Sequence, residues 1–316
     1  MRDRMSENEQ KVGIFYTLCA YTLWGVLPLY WKQVQKVPAG EILAHRIVWS
    51  FLFMMAIVFI TKNGRALFQE AIQLIGQKKR LIGITLASIT ISINWLTYIW
   101  AVNANHVVEV SLGYYINPLV SILLGMIILK ERLTPWQVVS FLLATIGVLN
   151  LIIHFHQVPW IALLLALSFG AYGLLKKQIQ LSSMFGLTIE TFMITPIAIL
   201  YLTQSNLAGT GSFTISPLVT LLLVGAGVAT AIPLLFFASG ARRIPLSMVG
   251  FLQYVAPTLM LLLGVFLYNE PFTETHFISF AFIWIALFLY SLSRTKWFVH
   301  VEHKLFPNKK SIQQHY

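Results

Sequence analysis

A chain of 316 residues that is 57% hydrophobic and only 10% charged, with a mean hydropathy of +0.74, falls far from the soluble globular norm of about 25% charged residues. This excludes an ordinary water-soluble enzyme or binding module and gives a membrane protein. The net charge of +11 is then a matter of topology and of an anionic leaflet, with no nucleic-acid partner implied, and the single cysteine, Cys19, excludes an intramolecular disulfide.

The polar segment 1–11 reads as a cytoplasmic N-terminus. The first apolar run has no small-residue cleavage pattern, so it reads as a retained helix and not a signal peptide. A spanning helix needs roughly 20 mostly apolar residues. Ten such runs are predicted, over 12–31, 41–61, 81–101, 108–129, 136–153, 159–175, 184–203, 217–238, 245–267 and 276–293.

The second span carries Glu41, His45 and Arg46 within two turns. A buried cation needs a partner or a wet cavity, so Arg46 is either a snorkelling arginine paired with Glu41 or Glu109, or a substrate-binding group facing a central cavity. Histidine is the side chain whose ordinary range reaches neutral pH, which makes His45 a proton-coupling candidate. In the third span Asn94, Trp95, Tyr98 and Asn103 recur at three- or four-residue spacing, a face that offers hydrogen bonds and flat aromatic surface to a small organic ligand. An interfacial aromatic girdle is the alternative for Tyr98 and Trp100.

In the fourth span Tyr114, Tyr115 and Asn117 surround Pro118, and in the ninth Gln253 and Tyr254 surround Pro257. Each proline removes a backbone hydrogen bond, which makes Pro118 and Pro257 hinge candidates and the polar neighbours candidates for the cavity wall. Glu190, in the seventh span, is the only carboxylate set well within a span; it is a second proton-coupling candidate or a paired structural acid. Glu131 and Glu270 sit in turns, and Thr134-Pro135-Trp136-Gln137 has the form of a capping box opening the fifth span, as Thr273 opens the tenth. Ser121, Gly125, Gly225, Gly227 and Gly264 suit close helix packing. No P-loop, HExxH, CxxC or GxSxG motif occurs, and His154 with His156 lacks a third ligand, so no catalytic residue, metal or cofactor is assigned.

The stretch Val110–Thr134 recurs at a constant offset of 139 residues as Val249–Thr273, with Val110, Tyr115, Pro118, Leu123, Leu124, Gly125, Glu131 and Thr134 repeated. Five spans per half is an odd number, so the halves are inserted in opposite senses. The basic residues agree: only Lys32 and Lys36 fall in the predicted outer loops, Arg46 is inside a span, and the other lysines and arginines lie on the cytoplasmic side. Residues 12–153 form the first repeat, 159–293 the second, and 294–316 a basic cytoplasmic tail.

Two inverted halves that each end the fourth span in proline, glycine and E-x-x-T resemble the EamA repeats of the drug/metabolite transporter (DMT) superfamily. The opening G-I-F-Y-T-L-C-A-Y-T-L-W-G-V-L-P-L-Y-W-K, with H-R-I-V-W-S and N-W-L-T-Y-I-W-A-V-N, resembles the RarD subfamily. The resemblance implies an all-α integral membrane fold of ten transmembrane helices, with the first four of each half enclosing a central cavity. It also implies a secondary transporter of the bacterial inner membrane, associated with chloramphenicol resistance. The expected activity is export of a small organic solute or drug across the lipid bilayer by alternating access. His45, Arg46, Asn94, Trp95, Tyr98, Tyr115, Asn117, Gln253 and Tyr254 are the expected path, and the sequence leaves monomer against homodimer undecided. A membrane-embedded enzyme would need titratable groups clustered at one depth, and an accessory or sensor protein would need extramembrane domains; the sequence offers neither.

Overall fold

The computed structural model describes residues 7–103, 107–155, 160–179, 181–268 and 273–293, together with Thr295 and Phe298. Every element among them is helical: α1 (Glu7–Val26), α2 (Pro28–Trp31) with a 3-10 turn (Lys32–Val34), α3 (Ala39–Ile60), α4 (Gly64–Gly76), α5 (Lys78–Asn103), α6 (Val107–Ile127), α7 (Pro135–Phe155), α8 (Trp160–Ile179), α9 (Ser183–Leu207), α10 (Pro217–Ala241), α11 (Leu246–Gln253), α12 (Val255–Tyr268) and α13 (Glu274–Ser293). Among the described residues nine stretches are long and apolar enough to cross a membrane. Helix α6, whose shorter apolar run is Leu112–Ile127, makes a tenth, with α11 and α12 forming one span.

Large apolar side chains such as Leu52, Phe59, Ile89, Ile127, Leu142, Ile197, Leu221 and Phe288 are exposed on the outside, as expected where lipid replaces water as the solvent. The pairing of the helices follows the inverted repeat. Helix α1 packs on α10 and on α11–α12 of the second half, and its counterpart α8 packs on α5 and α6 of the first. The equivalent pairs α3–α9, α6–α11 and α7–α13 each cross between halves. These are like-with-like contacts about one axis, the arrangement that an inverted duplication produces.

Small residues set the closest crossings. A side chain at Gly250 would stand 2.6 Å from the Pro118 carbonyl oxygen, so α11 approaches α6 at the repeated proline. A side chain at Gly227 would stand 2.3 Å from the backbone of Trp49, and Ser50 Oγ donates to the Gly227 carbonyl at 2.9 Å, which locks α3 against α10.

Two departures from the sequence reading concern local structure. The basic stretch 62–80, expected as a loop, forms α4, whose Phe68, Ile72 and Ile75 share an exposed apolar face while Leu74 is buried; such a helix lies along the interface rather than across the bilayer. The two prolines also differ. Helix α6 continues through Pro118, but the equivalent span is interrupted between α11 and α12 by one turn residue, Tyr254, which keeps right-handed helical angles. Pro257 has no N–H to give the Gln253 carbonyl four residues back, and the Tyr254 N–H bonds to Phe251 at 3.3 Å in the i to i−3 sense. The hinge expected at Pro118 is therefore absent as a break in the helix.

Candidate functional site

A cavity of about 900 Å3, counting the space open to solvent, lies between the two halves. The first half supplies Tyr21, Trp24, Leu27, Pro28 and Trp31 from α1 and α2, Arg46 from α3, Asn94, Trp95 and Tyr98 from α5, and Val110, Tyr114 and Asn117 from α6. The second supplies Leu165 and Phe169 from α8, Thr230 and Leu234 from α10, and Gln253, Ala256, Pro257 and Met260 from the broken span. Most of these residues lie in the halves of their helices nearest the connections at 32–38 and 208–216.

Arg46 is buried, with 8% of its surface exposed. Its Nε donates to Thr230 Oγ1 at 3.0 Å, and its guanidinium carbon lies 4.6 Å from the Trp31 ring centroid and 4.9 Å from that of Trp95. The expected pairing with Glu41 does not form. Glu41 Oε1 instead accepts from the Ser212 N–H at 2.6 Å, and the Glu109 side chain lies outside the described residues.

Asn94 Nδ2 donates to the Leu165 carbonyl at 2.9 Å and to Ser168 Oγ at 3.0 Å. The Asn117 amide, oriented with its nitrogen towards α8, donates to the carbonyls of Ala166 at 3.1 Å and Leu165 at 3.3 Å. Both asparagines thus spend their donors holding α5 and α6 against α8. Gln253 Oε1 accepts from Ser121 Oγ at 3.2 Å, which joins the two halves beside the break.

Around these groups the wall is aromatic. Trp24 meets Phe169 edge-on at 5.5 Å, and Tyr98 meets Tyr114 edge-on at 6.1 Å. Tyr21 and Trp24 also pack on Phe237 behind them.

Of the residues expected along the path, Arg46, Asn94, Trp95, Tyr98, Asn117, Gln253 and the hinge residue Pro257 are brought together here. His45, Tyr115, Tyr254, Glu190 and Pro118 are not. His45 lies on the other side of α3, stacked on Phe213 with centroids 4.8 Å apart; its Nδ1 accepts from Trp49 Nε1 at 3.2 Å, and its Nε2 stands 3.8 Å from Glu41 Oε1. Tyr115 packs edge-on against Phe280 of α13, and Tyr254 is buried in the same cluster between the halves. Each follows a cavity-lining residue, Tyr114 or Gln253, by one position, a rotation of about 100° around the helix. Tyr114, a candidate for the cavity wall in the sequence, also lines it, whereas the sequence reading missed Tyr21, Trp24, Trp31, Phe169 and Thr230.

Glu190 belongs to a separate buried group. Its Oε1 accepts from Lys176 Nζ at 2.6 Å and its Oε2 from the Tyr172 hydroxyl at 3.1 Å. Lys176, expected in a cytoplasmic loop, is drawn into the bundle by this pair and is only 6% exposed. A small recess of about 250 Å3 touches Glu190 and Tyr172 and shares Trp95 and Leu234 with the main cavity.

At the end of the bundle away from the cavity, the turn between α10 and α11 is clamped from two sides. Glu131 Oε1 accepts from the Leu246 N–H at 2.7 Å, and Oε2 accepts from the N–H and hydroxyl of Ser247 at 2.8 and 2.7 Å. A carboxylate on the first N–H groups of a helix satisfies donors that have no partner within the helix and complements its dipole. Lys177 Nζ donates to the Ile244 carbonyl from α8. Glu131 is therefore more than a turn residue: it caps a helix of the opposite half. The capping box expected beside it forms in one direction, with Gln137 Oε1 accepting from the Thr134 N–H at 3.1 Å. Thr273 makes the corresponding contacts with His276, its hydroxyl 2.9 Å from the ring Nδ1. Glu270, His156 and nearly all of the basic tail lie outside the described residues.

Comparison with known proteins places these features in a wider set. The model of the EamA-like transporter family matches residues 11–153 and again 158–292. The chain is 48% identical over 293 residues to an uncharacterized transporter YojE of Bacillus subtilis, covering 93% of this chain and 98% of that one. It is 42% identical to the protein RarD of Escherichia coli over 287 residues, 90% of this chain and 96% of the other. A Pseudomonas aeruginosa protein named chloramphenicol-sensitive protein RarD is 28% identical over 88% of this chain and 92% of its own. A solved crystal structure superposes with a TM-score of 0.68 at 18% identity, over 91% of this chain and 99% of the other, a likeness of fold.

Proposed function

Since the chain belongs to the EamA-like transporter family, in its RarD branch, we propose that it is a secondary transporter that exports small organic metabolites or drugs across the bacterial inner membrane by alternating access. The observation that carries this reading is the cavity built jointly by two inverted halves, with Arg46 bonded across it to Thr230 and the opposite end of the bundle held shut by Glu131. With both termini cytoplasmic, as the distribution of lysine and arginine implies, the cavity faces outward and the Glu131 contact is the inner closure.

The solute path in this reading runs along Arg46, Trp95, Tyr98, Tyr114 and Gln253, with Pro257 as the hinge of the second half. Glu190 is the proton-coupling candidate: protonation of its carboxylate releases Lys176, a change of charge that a packed bundle transmits to α8 and α9. His45 takes no part, because it stands outside the cavity wall.

Uptake into proteoliposomes under an imposed pH gradient tests the proposal, with chloramphenicol as a first solute on account of the name of the Pseudomonas relative. Solute flux that needs the protein and follows the gradient is the expected result. Protein-dependent flux unaffected by the gradient removes proton coupling, and the absence of flux for amphiphilic and amino-acid-like solutes alike removes the transporter reading.

A further inference from the structure

We infer that the cavity selects small organic carboxylates with an apolar or aromatic body, the carboxylate docking on Arg46; this deepens the transport reading and rests on it for the identity of the site. The first ground is electrostatic. Among the described residues Arg46 is the one ionised side chain in the cavity wall, which holds no aspartate, glutamate, lysine or histidine. A cation placed in a low-dielectric site must find compensation. Thr230 is neutral, and the rings of Trp31 and Trp95 at 4.6 and 4.9 Å offset only part of the lost hydration. The missing element is an anion, and the solute is the component that can bring it.

The second ground is geometric. Thr230 occupies Nε, and neither Nη1 nor Nη2 makes a hydrogen bond to any described residue. The two terminal nitrogens form the end-on fork that a planar carboxylate accepts in bidentate fashion. The indoles on either contact hold the guanidinium plane, so little rotamer freedom remains to be lost on binding.

The third ground is the state of the other polar groups. The amide donors of Asn94 and Asn117 are taken by α8, whereas Gln253 accepts through Oε1 and so turns its amide nitrogen to other acceptors. With their nitrogens taken, Asn94 and Asn117 leave only neutral amide oxygens to a solute, so the Arg46 charge, with the Gln253 amide nitrogen beside it, is what favours an anion over an ammonium. The rest of the wall gives flat apolar surface to the body of the molecule.

The test is equilibrium binding, by calorimetry at pH 7 in nanodiscs of neutral phosphatidylcholine, of three probes with one skeleton: 3-phenylpropanoate, 3-phenylpropanamide and 3-phenylpropylammonium. The carboxylate is expected to bind roughly tenfold or more tightly than the amide, and the ammonium more weakly than either. Arg46→Gln should remove the carboxylate preference, so that carboxylate and amide bind within about threefold of each other, and Arg46→Lys, which keeps the charge without the fork, should fall between. Equal binding of carboxylate and amide, tighter binding of the ammonium, or no binding of the carboxylate to the wild-type protein overturns the inference without any variant having to fold. Because the assay needs no flux, carboxylate selectivity without transport removes the transport reading alone, and transport without that selectivity removes the inference alone.

Discussion

The Glu131 carboxylate accepts two hydrogen bonds from Ser247, 116 residues away, one from its backbone N–H and one from its hydroxyl. The contact joins the turn after α6 to the first turn of α11. It is one of the points at which the two halves meet at the end of the bundle opposite the cavity, and removing the carboxylate leaves the Leu246 and Ser247 donors without an acceptor. Glu131→Ala is expected to cost about 1–3 kcal/mol of stability and to lower flux severalfold, with Glu131→Gln milder because one acceptor oxygen survives. Thermal unfolding in detergent and proteoliposome flux measure the two effects. A Glu131→Ala protein with unchanged melting temperature and flux would show that the contact holds nothing.

The Lys176–Glu190 pair gives a prediction in which the double variant matters more than the singles. Both groups are buried, at 6% and 2% exposure, so Glu190→Gln strands an ammonium and Lys176→Met strands a carboxylate. Each single change is expected to cost about 3–5 kcal/mol, and the double variant to recover most of it. A double variant that is stable and still shows gradient-dependent flux excludes Glu190 as the proton site; loss of gradient dependence with retained flux supports it.

At the α6–α11 crossing the prediction is steric. Gly250→Ala places a methyl 2.6 Å from the Pro118 carbonyl oxygen, backbone that cannot swing aside, and is expected to destabilise by roughly 1–3 kcal/mol. Gly76→Ala at the end of α4 meets nothing within 4 Å and should leave the melting temperature unchanged or slightly raised. Equal behaviour of the two variants would remove the close approach as a constraint.

Helix α4 should lie in the membrane interface. Spin labels placed at Phe68, Ile72 and Ile75, which are 67%, 55% and 69% exposed, are expected to collide with lipid-soluble oxygen more than with a water-soluble nickel chelate, and a label at Gln73 the reverse. A uniform preference for the aqueous reagent would place the helix in solvent.

The sequence was most informative where a physical constraint acts on single residues or on long averages. Twenty-residue apolar runs gave the spans, and the repeat with the reversal of flanking charge gave the inversion. It was least informative about rotation. Helices buried in both lipid and protein are apolar on every side, so no periodicity separates Tyr114, which reaches the cavity, from Tyr115, which packs on Phe280. The same blindness hid Tyr21, Trp24 and Trp31, which the cavity also takes in. Arg46 stood out because charge in a span is costly wherever it points. Lys176 was misplaced for the converse reason: its position near the end of a span suited a loop, and only the partner fourteen residues on, Glu190, draws its ammonium inward.

The unequal treatment of the two prolines has a further consequence. One sequence motif, present twice, runs uninterrupted through Pro118 in one copy and is interrupted at Tyr254 in the other, so the two copies differ in local shape. If the proposed alternating access works by exchange of those shapes, the span of α11 and α12 becomes continuous, α6 opens at Tyr115, and Glu131 loses its partner. On that proposal the shape of each half is a template for what the other becomes.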